Sequence, residues 1–164
     1  MNGKRLAFLG IFLGLAMLLS YVETLLPVFP FAPGMKIGLA NLVTVFLLFR
    51  FRAAEAFLIS LVRVILSALL FGTLFSFLFS LSGFLVSFFG MLILKKTKAF
   101  RPVSVSVTGG VLHNLAQIVL AMILLGSREV LYYLPVLFLT GIVSGALIGV
   151  LAAILIQKLP VLHE

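Results

Sequence analysis

Four side chains that are suited to binding a polar ligand lie within long apolar stretches of the sequence: Arg63, His113, Asn114 and Gln117. A guanidinium binds anionic groups, and imidazole and amide side chains donate and accept hydrogen bonds. Each of these groups is costly to place in hydrocarbon without a partner, so each must face protein, water or a ligand. We expect the four side chains to line one polar cavity.

Arg63 lies near the middle of its apolar stretch. It is about nine residues from the outer end, or roughly 13 Å along a helix, which places it close to the bilayer centre. A long side chain reaches the membrane surface from a helix end but not easily from this depth. We expect Arg63 to bind an anionic group of a ligand. The alternative is an arginine that is bonded to helix carbonyls and hydroxyls, or paired with Glu23.

The polar residues of "HNLAQ" have helical spacing. Gln117 follows His113 by four residues and Asn114 by three, so the three side chains share one helix face. The glycine pair 109–110 lies one turn earlier and allows another backbone or a ligand to approach closely. The polar face either forms interhelical hydrogen bonds, each contributing about 0.6 kcal/mol, or lines a cavity. We expect it to face inward, toward Arg63, around a cavity that is open to the outside.

The segment before the second apolar stretch is rich in proline. Pro30 and Pro33 prevent regular helix, and Gly34 allows a sharp turn. Lys36 follows at the outer mouth of the expected cavity, and Asn41 lies about 8 Å deeper. Lys36 and Asn41 complete the predicted substrate-binding set. The proline-rich segment is either a lid over the ligand or an ordinary connector.

The composition indicates that these residues lie in a membrane protein. Of the 164 residues, 63% are hydrophobic and 10% are charged, and the mean hydropathy is +1.36. Such a chain cannot cover a soluble surface, and its apolar stretches of about 17 to 25 residues are long enough to cross a bilayer. We predict an all-α integral membrane protein, a compact bundle of six transmembrane helices that forms one domain over residues 1–164. The predicted spans are 6–26, 35–50, 54–71, 73–94, 103–126 and 131–156.

The loops between these spans differ in charge. One alternate set holds nine of the lysines and arginines, whereas the other set holds only Lys36 and Arg128. Because loops rich in Lys and Arg stay on the cytoplasmic side, we predict a multi-pass protein of the cell membrane with both termini in the cytoplasm. The net charge of +8 is explained by these loops, and no basic soluble element is present to bind nucleic acid.

The sequence lacks the residues of several catalytic and metal sites. It contains no cysteine and no aspartate, which excludes thiolate chemistry and an Asp-rich site for Mg²⁺ and diphosphate. It has no GxxxxGK[ST] loop, so the chain does not hydrolyse ATP. Two histidines without cysteine do not favour a transition-metal site. We expect a binder or carrier with no catalytic residue and no cofactor, not an enzyme.

Small residues follow helix faces in the first and last spans. In the first span, Gly10 and Gly14 have GxxxG spacing, and Ala16 continues the series. The last span carries a similar set at Gly141, Ser144, Gly145 and Gly149. Such faces allow helices to pack closely, either within the chain or against another subunit. The fourth span is biased toward Phe, Leu and Ser, which indicates residues that pack against other helices.

Glu23 lies near the outer end of the first span. We interpret it as a solvated carboxylate near the membrane surface.

Four blocks of the sequence resemble the Gx transporter family, which is often labelled heptaprenyl diphosphate synthase component I. In chain order the blocks are "PGMKIGLANLVTVF", "RVILSALLFGT", "FSFLFSLSGFLVS" and "GGVLHNLAQIVLA", within a match over about 27–121. The family is similar to the S components of energy-coupling factor transporters, which are small substrate-binding proteins usually of six helices. The resemblance therefore implies an S-component-like fold.

The resemblance also implies a function. An S component binds a small molecule outside the cell, and a transmembrane coupling subunit with cytoplasmic ATPases energises its uptake. Small residues of the first helix commonly dock the coupling subunit, which implies this role for Gly10, Gly14 and Ala16. The first outer loop often covers the ligand, which implies a lid role for the proline-rich segment. Cobalt and nickel members carry a histidine near the position of Asn2, so a metal substrate is not implied.

A second function is consistent with the same resemblance. The family label and the association of relatives with extracellular electron transfer suggest a non-catalytic membrane subunit. Such a subunit would act in isoprenoid-quinone synthesis or in flavin- or quinone-linked redox metabolism.

Overall fold

Helix ends in this chain coincide with residues that cap or interrupt helices. Thr73 Oγ1 accepts a hydrogen bond from the Ser76 amide at 3.2 Å, and Ser76 Oγ accepts one from the Thr73 amide at 2.8 Å. This reciprocal cap begins a helix at Leu74, with only two residues between it and the end of the preceding helix at Phe71, close to the predicted boundary between the spans 54–71 and 73–94. Pro102 stands at the start of the next helix, where its missing amide proton costs nothing.

The computed structural model describes residues 3–25 and 38–159, and this part of the chain is helical with no strands. A short 3₁₀ helix, Glu129–Tyr133, precedes the last α-helix. The α-helices are α1 (Gly3–Leu25), α2 (Asn41–Arg50), α3 (Ala53–Phe71), α4 (Leu74–Lys96), α5 (Pro102–Leu125) and α6 (Leu134–Lys158).

Five of the helical segments are long and apolar enough to cross a membrane: α1, α3, α4, α5 and the segment Glu129–Lys158 that contains α6. Many of their large apolar side chains point outward, including Leu69 and Ile123, which are 76% and 72% exposed. So much exposed apolar surface is unfavourable in water but favourable in contact with the hydrocarbon of a membrane. The chain is therefore a multi-pass membrane protein.

The second predicted span differs from the observed helix. The prediction covers residues 35–50, but α2 begins at Asn41 and has 10 residues, or about 15 Å, roughly half the hydrocarbon thickness. Gly38 has a φ of +82°, which is incompatible with continuing the helix toward the N-terminus. Six consecutive residues of α2, Val43–Leu48, are buried, so neighbouring helices and not lipid surround it. The described residues form six α-helices, the number predicted, but in this part of the chain only five helical segments are long and apolar enough to span a membrane, so six spans are not established.

Cations join the helices at one end of the bundle, which we call the basic end. Arg5 on α1 donates two hydrogen bonds of 2.8 Å to Glu55 on α3. Arg50 on α2 donates to carbonyl groups at the end of α6, and Lys95 on α4 donates to the carbonyl of Leu48 on α2. The basic residues that the sequence assigns to one set of loops therefore meet at one end. Arg50, one of these loop residues, therefore caps the end of α6 as well as marking the basic side of the bundle.

The close contact between α5 and α6 depends on glycine. A Cβ on Gly110 would lie 2.4 Å from the carbonyl oxygen of Gly141, and a Cβ on Gly145 would lie 2.7 Å from the Cα of Val107. The small residues of the last span therefore pack within the chain. Gly10 and Gly14 on α1 differ, since a Cβ on either would meet no atom within 4 Å.

Candidate functional site

A cavity of about 280 Å³ lies between the helices. Its walls come from the last turns of α1, the start of α2, the second half of α3, the first half of α4, and the middle of α5 and α6. It reaches the surface at the exposed turn formed by Gly72 and Thr73. This turn is at the end of the bundle opposite the basic end, and we call it the pocket end.

The structure brings five predicted substrate-binding residues together around this cavity. They are Arg63, His113, Asn114, Gln117 and Asn41. The shared cavity confirms the predicted arrangement, and binding of a substrate by these residues stays a prediction. Lys36 and the lid residues Pro30, Pro33 and Gly34 lie outside the described residues.

Arg63 faces the cavity without a bond to the described part of the chain. Its Nε is fully enclosed and has no hydrogen-bond partner, while other parts of the side chain remain accessible from the cavity. It forms no ion pair with Glu23, and it donates to no carbonyl or hydroxyl of residues 3–25 and 38–159. Neither structural alternative for Arg63 is therefore realised. The guanidinium remains available for a bound anion.

His113 is held in place by Gly83 and Gln117. A Cβ on Gly83 would lie 2.5 Å from His113 Cε1, so the imidazole packs directly on the backbone of α4. Gln117 Nε2 lies 3.1 Å from His113 Nε2. The backbone of α4 and the side chain of Gln117 therefore hold the imidazole in position.

Asn114 and Gln117 also connect helices. Asn114 Nδ2 donates to the carbonyl of Leu137 on α6 at 2.7 Å and lies 3.4 Å from Thr140 Oγ1. Gln117 Nε2 lies 3.5 Å from the carbonyl oxygen of Phe79 on α4. The two alternatives for the polar face of α5 thus apply together: the face forms interhelical hydrogen bonds and lines the cavity.

Glu23 joins α1 to the start of α2. Its Oε1 accepts hydrogen bonds from the backbone amides of Gly38 and Leu39, the second at 2.8 Å. These amides lie at the positive end of the α2 dipole, which favours a carboxylate. Glu23 also lines the cavity. The interpretation of Glu23 as a solvated surface carboxylate was wrong, because the carboxylate is bound by the α2 N-terminus.

Hydroxyl groups form much of the remaining cavity wall, and the sequence interpretation missed them. On α4, Ser76, Ser80 and Ser87 line the cavity, where the sequence had indicated only packing material. Their spacing of four and seven residues places them on one helix face, which is the signal that was available. Hydroxyls on the other helices belong to Ser20, Thr24, Ser67 and Ser144. Thr44 is buried away from the cavity, and its Oγ1 is hydrogen-bonded to Ser60 Oγ at 2.9 Å.

The three residues predicted to dock a partner separate into two groups. Gly10 and Gly14 lie on the exposed face of α1. Ala16 is 2% exposed and packs in the core. Ala16 was therefore wrongly included, since the helix periodicity that puts Gly10 and Gly14 outside puts Ala16 inside.

The cavity carries no cluster of metal ligands among the described residues, since no three His, Cys, Asp or Glu side chains come together there or elsewhere in this part of the chain. Residues 12–155 match the sequence pattern of the family described as heptaprenyl diphosphate synthase component I. The chain belongs to this family. The match confirms the family resemblance that four sequence blocks indicate, and the matched range contains all the residues that line the cavity. No curated protein and no solved structure matches the chain.

Proposed function

We propose that this chain is an S-component-like membrane subunit that binds a small polar or anionic molecule for uptake. The cavity supports this proposal because it is formed by all six α-helices and reaches one end of the bundle. Its volume of about 280 Å³ lies near the lower end of the range for small-molecule pockets, about 300 to 1,000 Å³. The basic residues lie at the other end, so the cavity opens on the outer side if they face the cytoplasm.

Arg63 is the observation that carries the proposal. A buried cation without a partner is costly, and a protein that only needed a stable core would place an apolar side chain there. An anionic ligand would supply the missing partner and convert this cost into binding energy. Asn41, His113, Asn114 and Gln117 would then orient the polar groups of the same ligand.

The absence of an ATP-binding motif in the sequence indicates which partners the proposed uptake would need. Uptake against a gradient needs energy, and the sequence has no P-loop, so cytoplasmic ATPases and a transmembrane coupling subunit would supply it. The exposed face of α1 with Gly10 and Gly14 offers a surface on which a helix of the coupling subunit can pack closely. The protein would then reside in the cell membrane with both termini in the cytoplasm, as the loop charges indicate.

The chain itself would not be an enzyme. It has no aspartate to hold Mg²⁺ and diphosphate, and its cavity is lined by many hydroxyl and amide groups. A heptaprenyl chain is long and apolar, and it would leave these polar groups without partners. The cavity therefore suits a compact polar ligand better than a prenyl product, and no cofactor is needed to bind it.

A binding experiment tests the site. The protein would be purified in lipid nanodiscs, and the small molecules that it retains from the expression host would be released and identified by mass spectrometry. We expect the wild type to retain a compound that Arg63→Met loses. Lys96→Met, which removes an exposed cation at the basic end, is the matched control and should retain it. Equal retention by the wild type and Arg63→Met would contradict the site assignment.

A second function is favoured by the family description, which calls the protein a component of a synthase. In that function the chain would be a non-catalytic membrane subunit in isoprenoid-quinone synthesis or in flavin- or quinone-linked redox metabolism. Affinity purification from native membranes separates the two functions. A coupling subunit with ATPases would support uptake, whereas a prenyl-transferring or redox enzyme in stoichiometric amount would support the second function.

A further inference from the structure

Two opposite charges line the cavity without forming an ion pair. Glu23 stands near the end of α1 and Arg63 near the middle of the neighbouring helix α3. They form no ion pair, although both border the same space. Opposite charges in a medium of low dielectric attract strongly, so their separation needs a structural cause.

The α2 N-terminus supplies that cause for Glu23. Both of the amides that bind Glu23 Oε1 belong to the backbone, at Gly38 and Leu39, so the carboxylate cannot turn toward Arg63 without releasing the start of α2. Only Oε1 is used in these bonds. The second oxygen, Oε2, accepts no hydrogen bond from the described residues.

Arg63 and Ser20 supply two further polar atoms without partners. Arg63 Nε and Ser20 Oγ are both fully enclosed, and neither has a hydrogen-bond partner. Ser20 precedes Glu23 by one helical turn on α1, and both residues line the cavity with Arg63. Buried polar groups are nearly always bonded. The part of the Arg63 guanidinium that borders the cavity also has no partner among the described residues, which indicates that a bound molecule supplies one.

We infer that the ligand is a zwitterion, with an anionic group bound by Arg63 and a cationic amine bound by Glu23. The inference rests on the proposed function and specifies its substrate class. A simple anion would meet the charge of Glu23 in the same small cavity, and a simple cation would meet that of Arg63. A molecule that carries both charges offsets each of them with an opposite charge.

Two variants that conserve shape test this inference. Glu23→Gln keeps an acceptor oxygen for the amides of Gly38 and Leu39 but removes the negative charge. Arg63→Met removes the positive charge, and Arg63→Lys is used in addition because it keeps a charge if the methionine variant does not fold. Each variant in nanodiscs would be incubated with the small-molecule fraction of a host-cell extract and then washed. The retained compounds would be measured by mass spectrometry, with and without reagents that esterify acids and acylate amines.

The expected result is one retained compound that reacts with both reagents. Its amount should fall about 10- to 100-fold in Glu23→Gln and in Arg63→Met, since each loses one charged hydrogen bond. A retained compound that is esterified but not acylated, and that Glu23→Gln keeps in full, would overturn the zwitterion and leave the proposed function standing. If the wild type retains no compound above the level of Arg63→Met, both the zwitterion and the proposed uptake function are wrong.

Discussion

At the basic end of the bundle, Arg5 is paired with Glu55, while Arg50 and Lys95 donate to main-chain carbonyls of neighbouring helices. At the cavity, Arg63 lies in the middle of α3 and is bonded to no described residue. Cationic side chains thus join neighbouring helices at the basic end, whereas the cation at the cavity has no hydrogen-bond partner. A charge without a partner costs more free energy when it is buried. Arg63 therefore lowers the stability of the ligand-free protein, and an anionic ligand that binds it can gain the most free energy there.

Charged contacts also hold the short helix α2 in its position within the bundle. Its C-terminal end is bonded to α4 through Lys95 and to α6 through Arg50. Its N-terminal end is bonded to α1 through Glu23. A helix of about 15 Å has too little length to be placed by the membrane itself, so charged contacts at both ends place it within the bundle. The basic end therefore supports the cavity indirectly, by holding the helix that carries Asn41.

Arg50→Met should give the largest loss of stability. The substitution removes the two donations to the end of α6 and leaves those carbonyls without their charged donor, which should cost about 1.5 to 3 kcal/mol per charged hydrogen bond. Thermal unfolding in detergent measures the effect, with the exposed Lys96→Met as the control. Equal unfolding temperatures for the two variants would show that Arg50 does not act as a structural cap.

Gly83→Ala should have a smaller effect on stability, about 1 to 3 kcal/mol, because the new methyl group would overlap the His113 ring. The imidazole would have to move into the cavity, so retention of the ligand should fall as well. Gly14→Ala is the matched control, since its methyl group meets open space. Unfolding and ligand retention would be measured on both variants. Unchanged retention by Gly83→Ala would show that the position of His113 does not matter for binding.

Arg63→Met should change the stability of the ligand-free protein least and in the opposite direction. Removing a buried cation that has no partner should leave the free energy of unfolding unchanged or raise it by about 1 kcal/mol. Unfolding of protein stripped of small molecules is the measurement. A clear destabilisation would mean that Arg63 holds the fold together as Arg50 does, and the contrast between the two ends would no longer hold.

Features that depend on local periodicity were predictable. The close succession of the third and fourth helices, the shared face of His113, Asn114 and Gln117, and the position of Arg63 in the middle of its helix follow from spacing along the chain. Features that depend on a distant contact were missed. Glu23 is bonded to residues 15 and 16 positions away, and no local pattern in the sequence indicates that contact.

The length of α2 was mispredicted for a related reason. Hydropathy counts apolar residues and cannot separate a helix that faces lipid from one that is enclosed by other helices. Residues 43–48 of α2 are enclosed by other helices, but their hydropathy alone would equally fit a helix that faces lipid. Only the contacts of α2 with its neighbours distinguish them.

By itself, the sequence determined the membrane class, the approximate helices, the grouping of basic loops and the presence of a polar helix face. These properties depend on composition and on spacings of a few residues. The tertiary structure decided that α2 is short, that Gly83 accommodates the His113 ring, and that Arg63 and Glu23 share a cavity without pairing. These properties depend on atoms brought together from separate helices, whose distances are set by packing and not by position along the chain.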